Sequence, residues 1–356
     1  MRGAERLVRT FERARRAVFT GTTMTTDDLS KPLKTWSHLV RNKRRPTEYE
    51  IVSTNMLWST DDPKAPWAMG QGVPMTQWYL KYRNQSPLKH ADWDGFRDPD
   101  QLVYRTYNMI QDGQESFVDA LLDDHSRNQH DLGLAPESVG LLARFYTPAR
   151  FVVHAVQMAS AYLVTMAPSS TIENCFIFQS ADQLRWVSRI AYRTAELKET
   201  HADAGFDRDE RRRWEQDPAW QGFRELMERT LVAWDWAEQF TALNLVAKPA
   251  LDEALLRQLA KLCRRNGDTL SALLLDAQMT DSARARRWTA ALVEYAVKNT
   301  ESDNRAVMQA WLDKWRPLGD RAIEAFCGAL GPEGGALADA AKAEAAKFRT
   351  GLGFAA

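Results

Sequence analysis

What this 356-residue chain lacks narrows its function before any motif is read. It has no charge excess. Lysine plus arginine and aspartate plus glutamate number 47 each, so the basic surplus that marks nucleic-acid binders is missing. Cysteine is scarce: Cys175, Cys263 and Cys327 are scattered, odd in number and form no Cys-x-x-Cys, which points to reduced thiols rather than a disulfide framework or a zinc site. No run approaches the roughly 20 apolar residues of a membrane span. There is no Walker loop, no Gly-x-Gly-x-x-Gly and no Gly-x-Ser-x-Gly. The six histidines are His38, His90, His125, His130, His154 and His201. None follows an Asp or Glu by three residues, the spacing that puts a metal-binding carboxylate and imidazole on one helix face.

What is present is a long helical pattern. Thr171 to Leu197 carries apolar residues at steps of three and four, Ile177, Ala181, Leu184, Val187, Ala191 and Ala195, which predicts one buried stripe. Ser170 and Glu173 are placed for a capping box. Asp98 and Pro99 predict a helix start, with the helix running to about His125. A pattern over 137–165 contains Pro148, where a kink is expected. Helices are also predicted over 223–246, 251–265, 268–279, 281–298, 304–315 and 318–330, the last two parted at Pro317. His154 sits on an apolar helix, where a buried, hydrogen-bonded core histidine is a better account than a haem ligand. Asp123 and Asp124 read as a solvated helix end.

Four regions follow. Residues 1–30 are a basic extension, with Met24 as an alternative start and a loosely held arm expected. Residues 31–97 are rich in proline and tryptophan and read as an extended arm, with Glu48 to Ser53 a short strand. Trp36, Trp58, Trp67 and Trp78 are candidate anchors on a partner subunit, against the simpler picture of a segment wrapped on its own bundle. Residues 98–330 form the helical domain. Residues 331–356 are expected to be a weakly held tail.

In the middle of the central helix, Asp182-Gln183-Leu184-Arg185-Trp186 resembles Asp-Glu-x-Arg-His, the helix motif of carboxylate-bridged di-iron proteins. Thr280-Asp281-Ser282-Ala283-Arg284-Ala285 is similar to a second copy. Both keep the Asp and the Arg. Gln183 and Trp186, and Ser282 and Ala285, stand where the motif has its Glu and His ligands. The two solitary carboxylates that complete such a site are also hard to find: the chain offers Val153 and His154 near the first copy, Leu243 and Asn244 near the second.

The likeness extends over about 30–330. KTWSHL (34–39), PTEYEIVS (46–53), YRNQSPLKH (82–90), DPDQLVYRTYNMIQDGQES (98–116), LRWVSRIAYRTAEL (184–197) and KWRPLGDRA (314–322) resemble the beta subunit of toluene/alkene-type multicomponent monooxygenase hydroxylases. The resemblance implies an all-α, ferritin-like bundle of the ribonucleotide-reductase type with no metal or cofactor of its own. It implies a di-iron centre in a catalytic alpha subunit and a small gamma subunit, in a dimer of trimers. It further implies an effector protein, a Rieske [2Fe-2S] ferredoxin and a flavin reductase using NADH, all cytoplasmic, oxidising a small hydrocarbon by ring hydroxylation or epoxidation. A stand-alone helical enzyme and a homo-oligomeric ferritin-like structural protein are the competing functions.

One further expectation concerns the residues the motifs keep. Facing helices of such a bundle predict crossed pairs, Asp182 with Arg284 and Asp281 with Arg185, a polar cross-link where a metal cluster would otherwise stand.

Overall fold

The computed structural model describes residues 45–54, 74–298 and 300–355, and every regular element among them is helical. The chain divides into two units, 1–51 and 52–356. Of the first unit only 45–51 are described. There the expected strand is instead the start of a helix, α1 (Glu48–Ser53). Its entry is a reciprocal capping box: the Glu50 amide donates to Thr47 Oγ1 at 3.2 Å, and the Thr47 amide donates to Glu50 Oε2 at 2.8 Å. These two bonds satisfy amides that a strand would leave to a neighbour, and they outweigh the β propensity of Ile51 and Val52.

The second unit opens with α2 (Pro74–Tyr79), prolonged by a π turn, Leu80–Asn84. Part of the proline-rich region is therefore helical. The main bundle is α3 (Tyr104–Arg127), α4 (Pro136–Leu141), α5 (Ala149–Met166), α6 (Ser170–Thr200), α7 (Glu210–Gln216) and α8 (Pro218–Leu231). Next comes one rod over 236–265, in which α9 (Trp236–Phe240), α10 (Lys248–Leu251) and α11 (Leu259–Arg265) are joined by π stretches Thr241–Ala247 and Asp252–Gln258. α12 (Thr269–Val297), α13 (Asn304–Gly328) and α14 (Gly334–Gly351) complete the fold.

Several boundaries move from their predicted places, each for a local reason. α3 starts at Tyr104 because Asp98 spends its carboxylate on the amides of Asp100 and Leu102, closing a turn rather than capping a helix. α6 is entered from Ser169, and no side-chain cap bond forms there, so Ser170 and Glu173 make no capping box. The predicted helix over 223–246 is interrupted at 232–235, where Asp235 caps α9 by accepting from the amides of Ala237 and Glu238. α12 runs unbroken through Thr280. α13 runs unbroken through Pro317. Proline costs that helix one backbone bond, but Leu312, Trp315, Leu318, Ala322 and Phe326 stay buried along one side of it, and packing outweighs propensity. The expected weak tail is a packed helix: Ala338, Ala341 and Ala345 of α14 are buried, and Phe354 beyond it is too.

One core joins these helices. Two glycines permit close approaches between its helices. A Cβ at Gly222 on α8 would lie 2.6 Å from the Ala322 backbone of α13, and a Cβ at Gly319 would lie 2.6 Å from Val246 on the rod. The stripe predicted to be buried on α6 is mostly turned outward, with only Val187 and Ala181 packed against buried clusters. Ile177 is 41% and Leu184 52% exposed, while Phe176, Gln179, Asp182, Gln183, Trp186, Ile190 and Arg193 face inward. Helical periodicity marks two opposite faces equally well. Here the inner face is the more polar of the two, because its polar groups bind one another.

Candidate functional site

The two Asp-x-x-Arg copies meet in the interior, one on α6 and one on α12, with α3 lying across both. Asp182 and Asp281 are each 2% exposed. Arg284 donates through Nη2 to Asp182 Oδ2 at 2.5 Å and to Asp281 Oδ1 at 3.0 Å. Arg185 donates through Nη2 to Asp281 Oδ2 and through Nη1 to Glu115 Oε1 of α3, the latter at 2.6 Å. The Arg185 guanidinium lies 4.8 Å from the Trp186 ring centroid, and the Trp186 indole N–H donates to Asp281 Oδ2 at 2.8 Å. Ala285 leaves the matching volume on α12 without a polar group.

Two residues of α3 complete the arrangement, and neither is marked by the motifs. The Tyr107 hydroxyl donates to Asp182 Oδ1 at 2.8 Å. The Gln111 amide donates from Nε2 to Asp182 Oδ1 at 2.8 Å and Asp281 Oδ1 at 3.0 Å, tying the two carboxylates together. The legible signal was a polar row at steps of four, Tyr107, Gln111, Glu115 and Asp119, on a helix that is otherwise easy to orient. Glu115 and Asp119 also hold Arg189.

The electrostatics follow from this packing. Burial, together with the negative charge of Asp281, raises the Asp182 carboxyl to a pKa of about 6, against the opposing pull of Arg284 and Tyr107. Burial and the Asp182 carboxylate push the Tyr107 phenol up, so it stays a donor. Burial alone would lower the Arg284 guanidinium, but Asp182 and Asp281 hold it above its ordinary value. Both carboxylates therefore have cationic and neutral donors, as buried charges require.

Beside this network, the first lost-ligand position of each copy opens on a small cavity. It is lined by Gln183, Ser282, Lys248, Asp252, Gln278 and Val153 among others, and leaves about 10 Å³ for the centre of a water molecule, room for one. Ser282 donates to Asp252 Oδ1 at 2.7 Å, and Arg286 holds Asp252 and Glu253 at 3.0 and 2.9 Å. Lys248, 5% exposed, is a buried basic side chain in that lining. A little further along, Asn244 donates to Gln179 Oε1 at 3.0 Å and Thr289 Oγ1 at 2.8 Å, and Gln179 donates to Ser160 Oγ at 2.9 Å. This donor set does not fit a pair of metal ions. Gln183 is a neutral amide, the Ser282 hydroxyl is committed to Asp252, the Trp186 N–H to Asp281, and Ala285 is a methyl group. No group of three or more His, Cys, Asp or Glu among the described residues is arranged to hold a metal.

The other predicted residues are spread over the molecule. Trp36, Trp58 and Trp67 lie outside the described residues. Trp78 is packed within its own unit: its indole donates to the Tyr162 hydroxyl at 2.9 Å and its ring meets Tyr82 and Trp234. His154 is exposed on α5 rather than the buried core histidine expected. Asp123 and Asp124 are exposed at the end of α3. All three cysteines are buried and free. No helix among the described residues is long and apolar enough to cross a membrane.

Fold and site thus define a class: a ferritin-like helical bundle with charged pairs at its motif helices and no carboxylate–imidazole set. Residues 78–300 match the family described as Methane/Phenol/Alkene Hydroxylase, and the chain belongs to that family. It is 50% identical over 300 residues to the hydroxylase component subunit beta of the toluene-4-monooxygenase system of Ectopseudomonas mendocina, covering 84% of this chain and 91% of that one. It is 27% identical to the hydroxylase component small subunit of propane 2-monooxygenase of Gordonia sp., over 78% of this chain and 75% of that one. Among solved structures, a chain of toluene 4-monooxygenase with toluene bound in its resting active site superposes with a TM-score of 0.80 at 50% identity, over 84% of this chain and 98% of that one. A chain of phenol hydroxylase from Pseudomonas sp. OX1 shares the fold, with a TM-score of 0.77 at 22% identity, over 92% of this chain and 97% of that one. The expected family and all-α ferritin-like fold are what these comparisons show. They also show the expected kinship with the beta-type chains of hydrocarbon monooxygenases, which as complexes are oxidoreductases.

Proposed function

We propose that this chain is the metal-free, structural beta subunit of a multicomponent hydrocarbon monooxygenase hydroxylase. The observation that carries the reading is the crossed Asp–Arg network at the motif helices. Four charges balance one another there, and the adjoining ligand positions are an amide, an indole, a hydroxyl and a methyl. The network serves as a polar cross-link between α6 and α12, fixing which helices face each other more than adding net stability, since desolvation offsets much of the attraction. Oxygen activation then belongs to a companion alpha subunit holding the di-iron centre. A gamma subunit completes a dimer of trimers in the cytoplasm. Electrons come from NADH through a flavin reductase and a Rieske ferredoxin, and an effector protein acts on the assembly. The substrate is a small hydrocarbon selected by the alpha subunit's pocket. The relatives' names include toluene, phenol and propane, so ring hydroxylation, epoxidation and alkane oxidation are decided in the partner.

The test is co-expression of this chain with its companion hydroxylase subunits, followed by metal analysis of the complex and of the chain alone. Iron is expected in the complex and absent from the chain. Stoichiometric iron in the isolated chain, lost when Gln183 or Ser282 is changed, would overturn the reading. Product analysis of the full system identifies the substrate.

A further inference from the structure

The two halves of α3 are held by different forces. The second half is held by the core: Val118 and Leu122 are buried in it, and Leu121 packs against it. The first half, 104–117, is not. Tyr107 and Gln111 are the buried residues there, while Tyr104, Met109, Ile110 and Phe117 stand exposed. Little apolar burial therefore ties this half to the bundle beyond the Tyr107 ring, stacked 4.5 Å from Phe178. What holds it is polar, and it converges on one oxygen: the Tyr107 hydroxyl and the Gln111 amide both donate to Asp182 Oδ1 at 2.8 Å. Glu115 adds ion pairs to Arg185 and Arg189. The latch is imperfect, because Gln111 Oε1 is buried without a partner. Gly113 weakens the helix itself: glycine is a poor helix former, and a Cβ there would meet nothing within 4 Å, so no neighbour requires it. The chain is anchored on both sides, by buried Leu102 and Val103 before this half and Val118 after it. Nor does lifting it strand a charge. Arg284 still holds Asp182 and Asp281, and Trp186 still holds Asp281.

We propose that residues 104–117 are a lid, one cooperative unit that unwinds and lifts from α6 and α12 while the rest of the bundle stays folded, baring Asp182 Oδ1 to water. Such sub-global opening belongs to segments with few buried apolar contacts and many solvent-facing backbone bonds, and this half of α3 has both features. The lid thereby sets how often solvent reaches the buried Asp182–Arg284 pair.

The test is native-state hydrogen exchange of the whole chain in low urea. Amides 108–117 bond to carbonyls within the lid, four residues back. They are expected to exchange about 100-fold faster than those of α6 over 179–193, with a shallower dependence on urea. Gly113→Ala is expected to slow them about five-fold, the ratio set by the helix preference of alanine over glycine. Tyr107→Phe keeps the ring against Phe178, deletes the bond to Asp182, and is expected to speed them about ten-fold or more. Equal rates and equal urea slopes in the two helices would overturn the proposal, because α3 would then open only with the whole bundle. Fast exchange with no urea slope would overturn it too, being residue-by-residue fraying rather than a unit that lifts. If Tyr107→Phe does not fold, the unaltered chain and Gly113→Ala decide the matter, and no response to Gly113→Ala refutes the lid.

Discussion

On α6, Arg185 is near the rim of the bundle, its side chain 12% exposed, and it divides its donors between Asp281 and Glu115. On α12, Arg284 is 8% exposed and turns one nitrogen to Asp182 and Asp281 together, with the Tyr107 ring 5.6 Å away. The residues one place further on differ as much. Trp186 fills its space and bonds Asp281, whereas Ala285 only makes room. Two copies of one spacing thus acquire different duties: the first faces outward to α3 and the second closes the interior. The difference teaches that a motif sets which side chains share a helix face, while neighbouring helices set what each of them costs to remove.

The sharpest way to break the comparison is to remove each arginine. Arg284→Ala leaves Asp182 without any cationic partner in a buried place and should cost about 3–5 kcal/mol in urea unfolding. Arg185→Ala should cost less, about 2 kcal/mol, because Asp281 keeps Arg284, Gln111 and Trp186. Equal losses would show that the two copies are energetically alike. In the same experiment Arg284→Ala combined with Asp182→Asn is expected to fall short of the summed single losses by about 1–3 kcal/mol.

Trp186→Phe keeps most of the ring and deletes one bond to a charged acceptor. A loss of about 1.5–3 kcal/mol is expected, where substituting Phe for a tryptophan without a charged partner would change little. No change in the urea midpoint would mean that the indole N–H contributes nothing to Asp281.

Asp182 can be probed by pH. Asp182 titrates near pH 6 in the fold and near 4 when unfolded, so the folded state binds its proton more tightly. Its contribution is fully present below about pH 4 and is lost as pH rises through 6, on the order of 1–3 kcal/mol. Asp182→Asn cannot titrate, and its stability should decline less between about pH 4.5 and 7 than that of the unaltered protein. Parallel profiles would contradict this.

The smallest effect lies outside the network. Arg229 and Glu225 pair one turn apart on the surface of α8 at 2.8 Å. Arg229→Ala should cost no more than about 0.5 kcal/mol, and a loss near that of Arg284→Ala would mean that burial is not what separates the two classes of ion pair.

Much of the fold was legible because the cues are local. Long 3.6-residue periods, as over 171–197, reveal helices without reference to any neighbour. Breaks were harder to read. Thr280 and Pro317 look like stops, yet both lie inside helices whose continuous buried faces offset the local cost. The tail failed for a similar reason: alanine-rich and framed by glycine, it reads as weak until α13 and the rod supply a surface on which Ala338, Ala341 and Ala345 bury.

The loss of ligand chemistry was written in single residues. Gln183, Trp186, Ser282 and Ala285 cannot supply two carboxylates and two imidazoles in any fold, because that limit is chemical and needs no coordinates. The retained Asp182, Arg185, Asp281 and Arg284 likewise announced two charge pairs. Only the tertiary structure decided that Gln111 bridges the aspartates, that Lys248 lines the same cavity as Gln183, and that the regular apolar stripe of α6 faces mostly out rather than in. Those facts depend on which helices lie beside α6. A sequence periodicity defines an axis through a helix, and only the packing of the neighbours assigns one end of that axis to the core and the other to solvent.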